Sequence, residues 1–257
     1  MIFSSAELLS QLGIVVWPLL RISAMVSSMP VFGSRLLPKR LKVVLAIALT
    51  MAIAPHLPPI EPIEIFSVNG GIVAIQQVLI GLAMGFTLQL VFSVFVLGGQ
   101  VIALTMGLGF ASLNDPASGV VVPTVSQFYT IFITLLFLAM NGHLVMIEVL
   151  ANSFISLPVS QMGLDSEAVW KMLGWAKFIF SGAVLMALPA MASLLIVNLG
   201  FGVMTRAAPQ LNIFAIGFPV IMTIGFMIML LSLPSTIPLF ENLLDSGYQL
   251  IRSMMGG

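Results

Sequence analysis

The sequence has no cysteine, which removes disulfides, thiolate metal ligands and cysteine nucleophiles together. It is nearly as poor in charge. Only 7% of the 257 residues are Asp, Glu, Lys or Arg, against roughly a quarter in an ordinary soluble domain. So little charge cannot clothe a water-facing surface. Histidine is limited to His56 and His143, in separate segments, and neither an HExxH helix, a lysine-bearing glycine loop for phosphate nor a GxSxG elbow is present. These absences argue against covalent catalysis and imply no cofactor or metal. His143, in the apolar context NGHL, reads as a hydrogen-bonded structural histidine. The nine basic and nine acidic residues cancel, leaving no electrostatic footprint for nucleic acid.

What fills the chain is apolar: 60% of it is hydrophobic, so most outward surface meets lipid or other apolar helices. The expected class is all-α and membrane-embedded, with about six apolar helical blocks near the span length of about 20 residues. The first, from about Ala6 to Met29, carries Glu7 before its apolar run and lacks a basic region or a small-residue cleavage site, so it reads as a retained helix, not a cleaved signal. The second, about Leu41 to Ala54, ends in the proline-rich acidic loop PHLPPIEPIE. The third, about Gly71 to Met106, would be roughly 54 Å long and must tilt, bend or protrude. In it Gly81 and Gly85 form a small-xxx-small pair for close helix packing, and Gly98 with Gly99 offers a bend. A fourth block covers about Thr124 to Ser156. A fifth, about Val169 to Leu199, contains Pro189, and a sixth, about Ile213 to Leu239, contains Pro219 and Pro234.

With six crossings, Arg35, Lys39, Arg40 and Lys42 in the first loop and Arg206 in the fifth would share the cytoplasmic side, with both termini outward. In the fourth block Gln127, Thr134, Asn141 and Glu148 recur every seven residues, and Asn152 joins their face, drifting about 20° per heptad. In the third block Gln89, Ser93 and Gln100 fall within about 40° of one another. Lipid cannot satisfy such lines, so each is either inter-helix glue or the lining of a wet passage. Arg21, inside the first block, has three readings: a pair with Glu148, snorkelling to the interface, or a contact to a partner subunit. The segment 106–123 is apolar and irregular, carrying Gly107, Gly109, Pro116 and Gly119 with a turn signal at Asn114, Asp115 and Pro116. It is either a re-entrant or plugging element or a buried connector.

The ordered series RISAMVSSMPVFGSRLLPKRLKVVLAIALTMAIAP, QQVLIGLAMGFTLQ, MGLGFASLNDPASG, LLFLAMNGHLVMI and NLGFGVMTRAAPQLNIFAIGFPVIMTIG resembles the FliR family of flagellar biosynthetic proteins of the bacterial type III export apparatus. The match runs from about Arg21 to Gly225, with FASLNDPASG and MTRAAPQLNIFAIGFP closer to the flagellar than the injectisome pattern. The resemblance implies a bacterial inner-membrane subunit of the flagellar basal body. It would assemble with FliP and FliQ into a conical gate, with FlhB around the entrance, FlhA beneath, and part of the assembly toward the periplasm. It implies kinked helical hairpins, FliP-like over 1–160 and FliQ-like over 161–257. It also makes 106–123 the plug that an unfolded substrate displaces, with Met106, Leu108 and Phe110 able to seal against a strand. The TRAAPQLN segment, with Arg206, Pro209, Gln210 and Asn212, matches the family's loop between the C-terminal helices, where Arg206 would meet a partner carboxylate or lipid headgroups.

Two other functions compete with an export-gate subunit. A small-solute or proton-coupled transporter would need a midplane site around Arg21, Glu148 and His143, with broken helices at repeated positions; no paired half-repeats occur. A purely structural scaffold would tolerate changes in 106–123 as long as the complex assembles.

Overall fold

The computed structural model describes residues 5–34, 37–60, 63–108, 124–160, 163–207 and 213–256, with backbone alone for 5–12 and 213–216. Among these residues there is no strand. The helices, in chain order, are α1 (Ser5–Ser28), α2 (Lys39–Ile53), α3 (Val68–Thr105), α4 (Thr124–Ala139), α5 (Gly142–Ser156), α6 (Ser166–Trp175), α7 (Lys177–Ala207) and α8 (Ile213–Met254), with a 3-10 turn at Ala54–His56. The all-helical membrane class expected from composition is therefore borne out.

Span count is the first correction. Three helices are long and apolar enough to cross a membrane, Val68–Thr105, Ser166–Ala207 and Gly217–Met254, and a fourth if the bent pair α4 and α5 counts as one. The six crossings expected from six blocks are not there among the described residues. Length explains α2: 15 residues rise only about 22 Å, short of a hydrocarbon core of about 30 Å. Pro55 and the prolines after it prevent extension. The sixth block, conversely, runs 42 residues through Pro219, Pro234 and Pro238 and absorbs the tail expected to follow it.

The chain packs as two compact units. The first comprises Met1–Leu90, Phe137–Trp175 and Leu244–Gly257, the second Val91–Leu136 and Ala176–Leu243. In the first, α1 lies in a groove of α3 made by the small-xxx-small pair. A Cβ on Gly81 would strike the carbonyl oxygen of Arg21 and stand 2.9 Å from Ala24 Cβ; one on Gly85 would strike Ser28 Oγ and stand 2.9 Å from the Met25 carbonyl. Glycine is required at both positions because the helix backbones touch. Tyr248 closes the unit, its hydroxyl donating to the Gly142 carbonyl at 2.7 Å, while Trp175 Nε1 donates to Ser246 Oγ at 2.9 Å.

In the second unit Gly98 and Gly99 again serve packing, with α3 unbroken through them. A Cβ on Gly99 would meet Ser126 Cα at 2.7 Å, and Ser126 Oγ donates across to the Val96 carbonyl at 3.0 Å. Phe240 packs edge-on against Phe92 and Phe95, with centroids 6.0 and 5.6 Å away.

Candidate functional site

Arg21 is the most constrained polar residue of the first unit, with none of its surface exposed. Its partners follow from the groove that seats α1. On α3, Gln77 lies one turn before Gly81, on the stripe that faces α1. Arg21 Nε donates to Gln77 Oε1 at 2.8 Å. Nη1 donates to the Ser153 carbonyl at 2.9 Å and to Ser153 Oγ at 3.1 Å, and Nη2 to the Leu157 carbonyl at 2.9 Å. The Phe154 ring lies 4.2 Å from the guanidinium carbon, within cation–π range.

Ser153 and Leu157 belong to the last turn and C-cap of α5. The carbonyls at a helix C-terminus have no intrahelical donors and carry the negative end of the dipole. Arg21 therefore caps α5, and the helix end supplies the countercharge that a carboxylate would otherwise supply. This corrects two expectations. Arg21 does not pair with Glu148, which stands exposed on α5, and it does not snorkel. These partners were hidden in the sequence, because the main acceptors are backbone carbonyls, which leave no signature in residue type. Gln77 was findable: it is a polar residue in an apolar helix, in register with Gly81. Its Nε2 has no partner among the described residues.

The polar line of the fourth block is also corrected. It assumed one continuous helix, but the backbone breaks between α4 and α5 with a bend of 67°. Asn141 takes a left-handed conformation there (φ 57°, ψ 24°), which asparagine tolerates better than most residues. A Cβ on Gly142 would come within 2.5 Å of the Phe137 ring. The seven-residue line is thus cut in two. At the break Asn141 is exposed, as are Glu148 and Asn152 on α5; on α4, Gln127 is exposed and Thr134 is half-buried, its hydroxyl turned to the Thr130 carbonyl at 2.7 Å. His143 is half-buried, and its Nδ1 has no hydrogen-bond partner among the described residues, contrary to the expected bonded histidine. The α3 line survives, since the helix carrying Gln89, Ser93 and Gln100 is continuous; Gln89 is exposed and the other two half-buried.

Of the segment 106–123, only Met106, Gly107 and Leu108 are described; Gly109, Phe110, Asn114, Asp115, Pro116 and Gly119 lie outside the described residues. The described root belongs to the second unit and is firmly built. Gly107 has φ 78°, its N–H bonds the Leu104 carbonyl and that of Leu108 the Ala103 carbonyl, both at 3.0 Å. That paired pattern ends α3 in a Schellman motif, which needs the left-handed conformation glycine gives freely. Met106 is fully buried, and its side chain fills the notch at Gly225, where a Cβ would stand 2.7 Å from its Cγ.

Among the basic residues, Lys39 and Arg40 are exposed at the start of α2, and Lys42 donates to the Gly33 carbonyl at 2.7 Å. Arg206 is exposed in the last turn of α7. Arg35, Pro209, Gln210 and Asn212 lie outside the described residues.

A helical membrane protein with polar groups exposed on apolar helices is built to be one subunit among several, because lipid cannot satisfy those groups. Residues 12–247 match the family described as bacterial export proteins, family 1. Flagellar biosynthetic protein FliR of Escherichia coli K12 is 39% identical over 252 residues, covering 98% of this chain and 96% of that protein. FliR of Pectobacterium carotovorum is 38% identical over 253 residues, covering 98% and 97%, and FliR of Buchnera aphidicola from Baizongia pistaciae 36% over 231 residues, covering 88% and 90%. The chain belongs to the FliR family and is a membrane-embedded component of the flagellar export apparatus.

Proposed function

We propose that the chain is a non-enzymatic subunit of the flagellar type III export gate, helping to form and plug the passage for unfolded flagellar proteins. The observation that carries this reading is the exposure of Gln127, Asn141, Glu148 and Asn152 on otherwise apolar helices. Exposed amides and a carboxylate at membrane depth need water or polar neighbours, and a protein-conducting passage supplies both. In this reading residues 1–160 act as the FliP-like part and 161–257 as the FliQ-like part of a hetero-oligomer with FliP and FliQ. FlhB wraps its entrance and FlhA lies beneath, in the bacterial inner membrane with part of the assembly toward the periplasm. Lys39, Arg40 and Arg206, exposed at helix ends, are suited to partner carboxylates or lipid headgroups.

Segment 106–123 is the plug. The Schellman cap at Gly107 and the buried Met106 support that role, because they give the segment a fixed root against which displacement can work. Deleting 106–123 should make the membrane leak ions while the complex still assembles; unchanged conductance with normal secretion would refute the plug. The transporter reading gains nothing: the site it needs around Arg21, Glu148 and His143 is dispersed, with Arg21 committed to the end of α5.

A further inference from the structure

The C-terminal turns of α8 lie beside α5 and build a trough with it. The two stretches run in the same direction: the Tyr248 hydroxyl reaches the Gly142 carbonyl, and a Cβ on Gly256 would stand 4.0 Å from the Ser156 carbonyl. Two depressions, of about 350 and 200 Å³, lie along the pair and share Arg252. Their floor is apolar, with Val149 and Leu244 buried in it. Their rim is polar. Asp245, Gln249 and Arg252 follow one another at intervals of four and three residues, which puts them on one face of α8, and all three are exposed, as is Asn152 on α5. Among the described residues none of these four side chains has a hydrogen bond or an ion pair. Asp245 and Arg252 stand two turns apart, about 10 Å along the axis, so each keeps its charge for something outside the chain.

Hydrogen-bonding chemistry selects the occupant. A membrane helix satisfies its backbone internally and presents side chains alone, and an acyl chain has neither donors nor acceptors. An extended polypeptide carries unpaired N–H and C=O groups along both edges. The side-chain amides of Asn152 and Gln249 each donate and accept, so they match that backbone whatever its sequence, while the apolar floor takes its side chains without selecting among them. One acid and one base on the rim leave neither sign of cargo excluded. From Leu244 to Met255 the trough is about 17 Å long, room for about five extended residues. We propose that the trough between α5 and the end of α8 holds an extended stretch of the polypeptide in transit, its backbone hydrogen-bonded by Asn152 and Gln249. The inference rests on the proposed gate and gives its passage a second wall, on α8.

The test uses the assembled complex in its native membrane, with a photo-crosslinking residue placed singly at Asp245 or Gln249. The cargo is an exported protein fused to a stably folded domain, so that it arrests in transit. Either position should give an adduct of the chain with the arrested protein, lost when that protein is not made. Asn152→Leu combined with Gln249→Leu, with the crosslinker at Asp245, should lower that adduct on the order of tenfold while the complex keeps its composition, because both side chains are exposed in the isolated chain. An adduct of constant mass with and without cargo, which is a neighbouring subunit, an adduct no heavier than a lipid, or an undiminished adduct in the double variant would each overturn the proposal. Purification separates the two levels. Arrested protein retained by the complex without a trough adduct sinks the trough and leaves the gate reading standing, whereas a complex that retains no arrested protein sinks the gate reading too.

Discussion

Replacing Arg21 by methionine isolates the capping interaction that joins α1 to α5. The substitution keeps an apolar stem but leaves Gln77 Oε1 and the Leu157 carbonyl without the donors that reach them at 2.8 and 2.9 Å. The Ser153 carbonyl keeps the Leu157 N–H at 3.0 Å, and Ser153 Oγ keeps its bond to the Leu150 carbonyl at 2.7 Å, so two acceptors are orphaned rather than four. A buried polar group left unpaired costs about 1–3 kcal/mol, and loss of a cation at a helix C-terminus adds about 0.3–2 kcal/mol. Against this stands the guanidinium's own desolvation, several kcal/mol, which the variant no longer bears. Gln77 Oε1 is fully buried and cannot find water, and the carbonyl of the half-buried Leu157 regains it only in part, so the loss outweighs the relief. Arg21→Met should destabilise the chain by about 2–4 kcal/mol.

Thermal unfolding in mild detergent, followed by tryptophan fluorescence, is a suitable assay, because Trp17 lies buried one turn from Arg21. Arg21→Lys should recover less than half of the loss, since an ammonium has no fork to span acceptors on two helices. A double-mutant cycle with Gln77→Leu should show non-additivity of about 0.5–3 kcal/mol, as both variants delete one shared bond. A midpoint for Arg21→Met equal to or above that of the unmodified protein would refute the reasoning.

Other substitutions report on packing and backbone. Gly81→Ala should destabilise by about 1–3 kcal/mol, because its Cβ meets the Arg21 carbonyl. Gly71→Ala, with nothing within 4 Å, should be neutral or stabilising by about 0.5–1 kcal/mol; the comparison is read from the same melting curves, and equal effects would remove the close-contact argument. Asn141→Gly should leave the midpoint nearly unchanged while Asn141→Val lowers it by about 1–3 kcal/mol, the signature of the left-handed break. Tyr248→Phe should cost about 1 kcal/mol through loss of the bond to the Gly142 carbonyl, measured by denaturant midpoint in detergent. Gly225→Val should expel Met106 from its notch, raising protease sensitivity at the end of α3; unaltered cleavage would show the notch to be immaterial.

Composition and apolar run length made the helices legible, and the Gly81 and Gly85 pair was legible as packing because a four-residue spacing of glycines has few other physical uses in an apolar helix. The break at Asn141 was hidden. Asn-Gly is a turn signal, yet here it sits inside a run apolar enough to continue as helix on both sides, and a seven-residue polar repeat spanned it by coincidence of spacing. Arg21 was legible as a costly buried charge but not in its partners, since Ser153 and Leu157 contribute carbonyls that any residue would contribute.

The claim on which the account turns is that exposed polar side chains of α4 and α5 border a water-filled passage in the assembled apparatus. Because the chain lacks cysteine, single cysteines at Gln127, Asn141, Glu148 and Asn152 can be probed with a small hydrophilic thiol reagent in intact complexes. All four should react, and faster while substrate is in transit, whereas a cysteine at Leu135, exposed about 80° round α4 from Gln127, should not. Protection of all four in complexes that secrete normally would contradict the account and make these groups glue between helices.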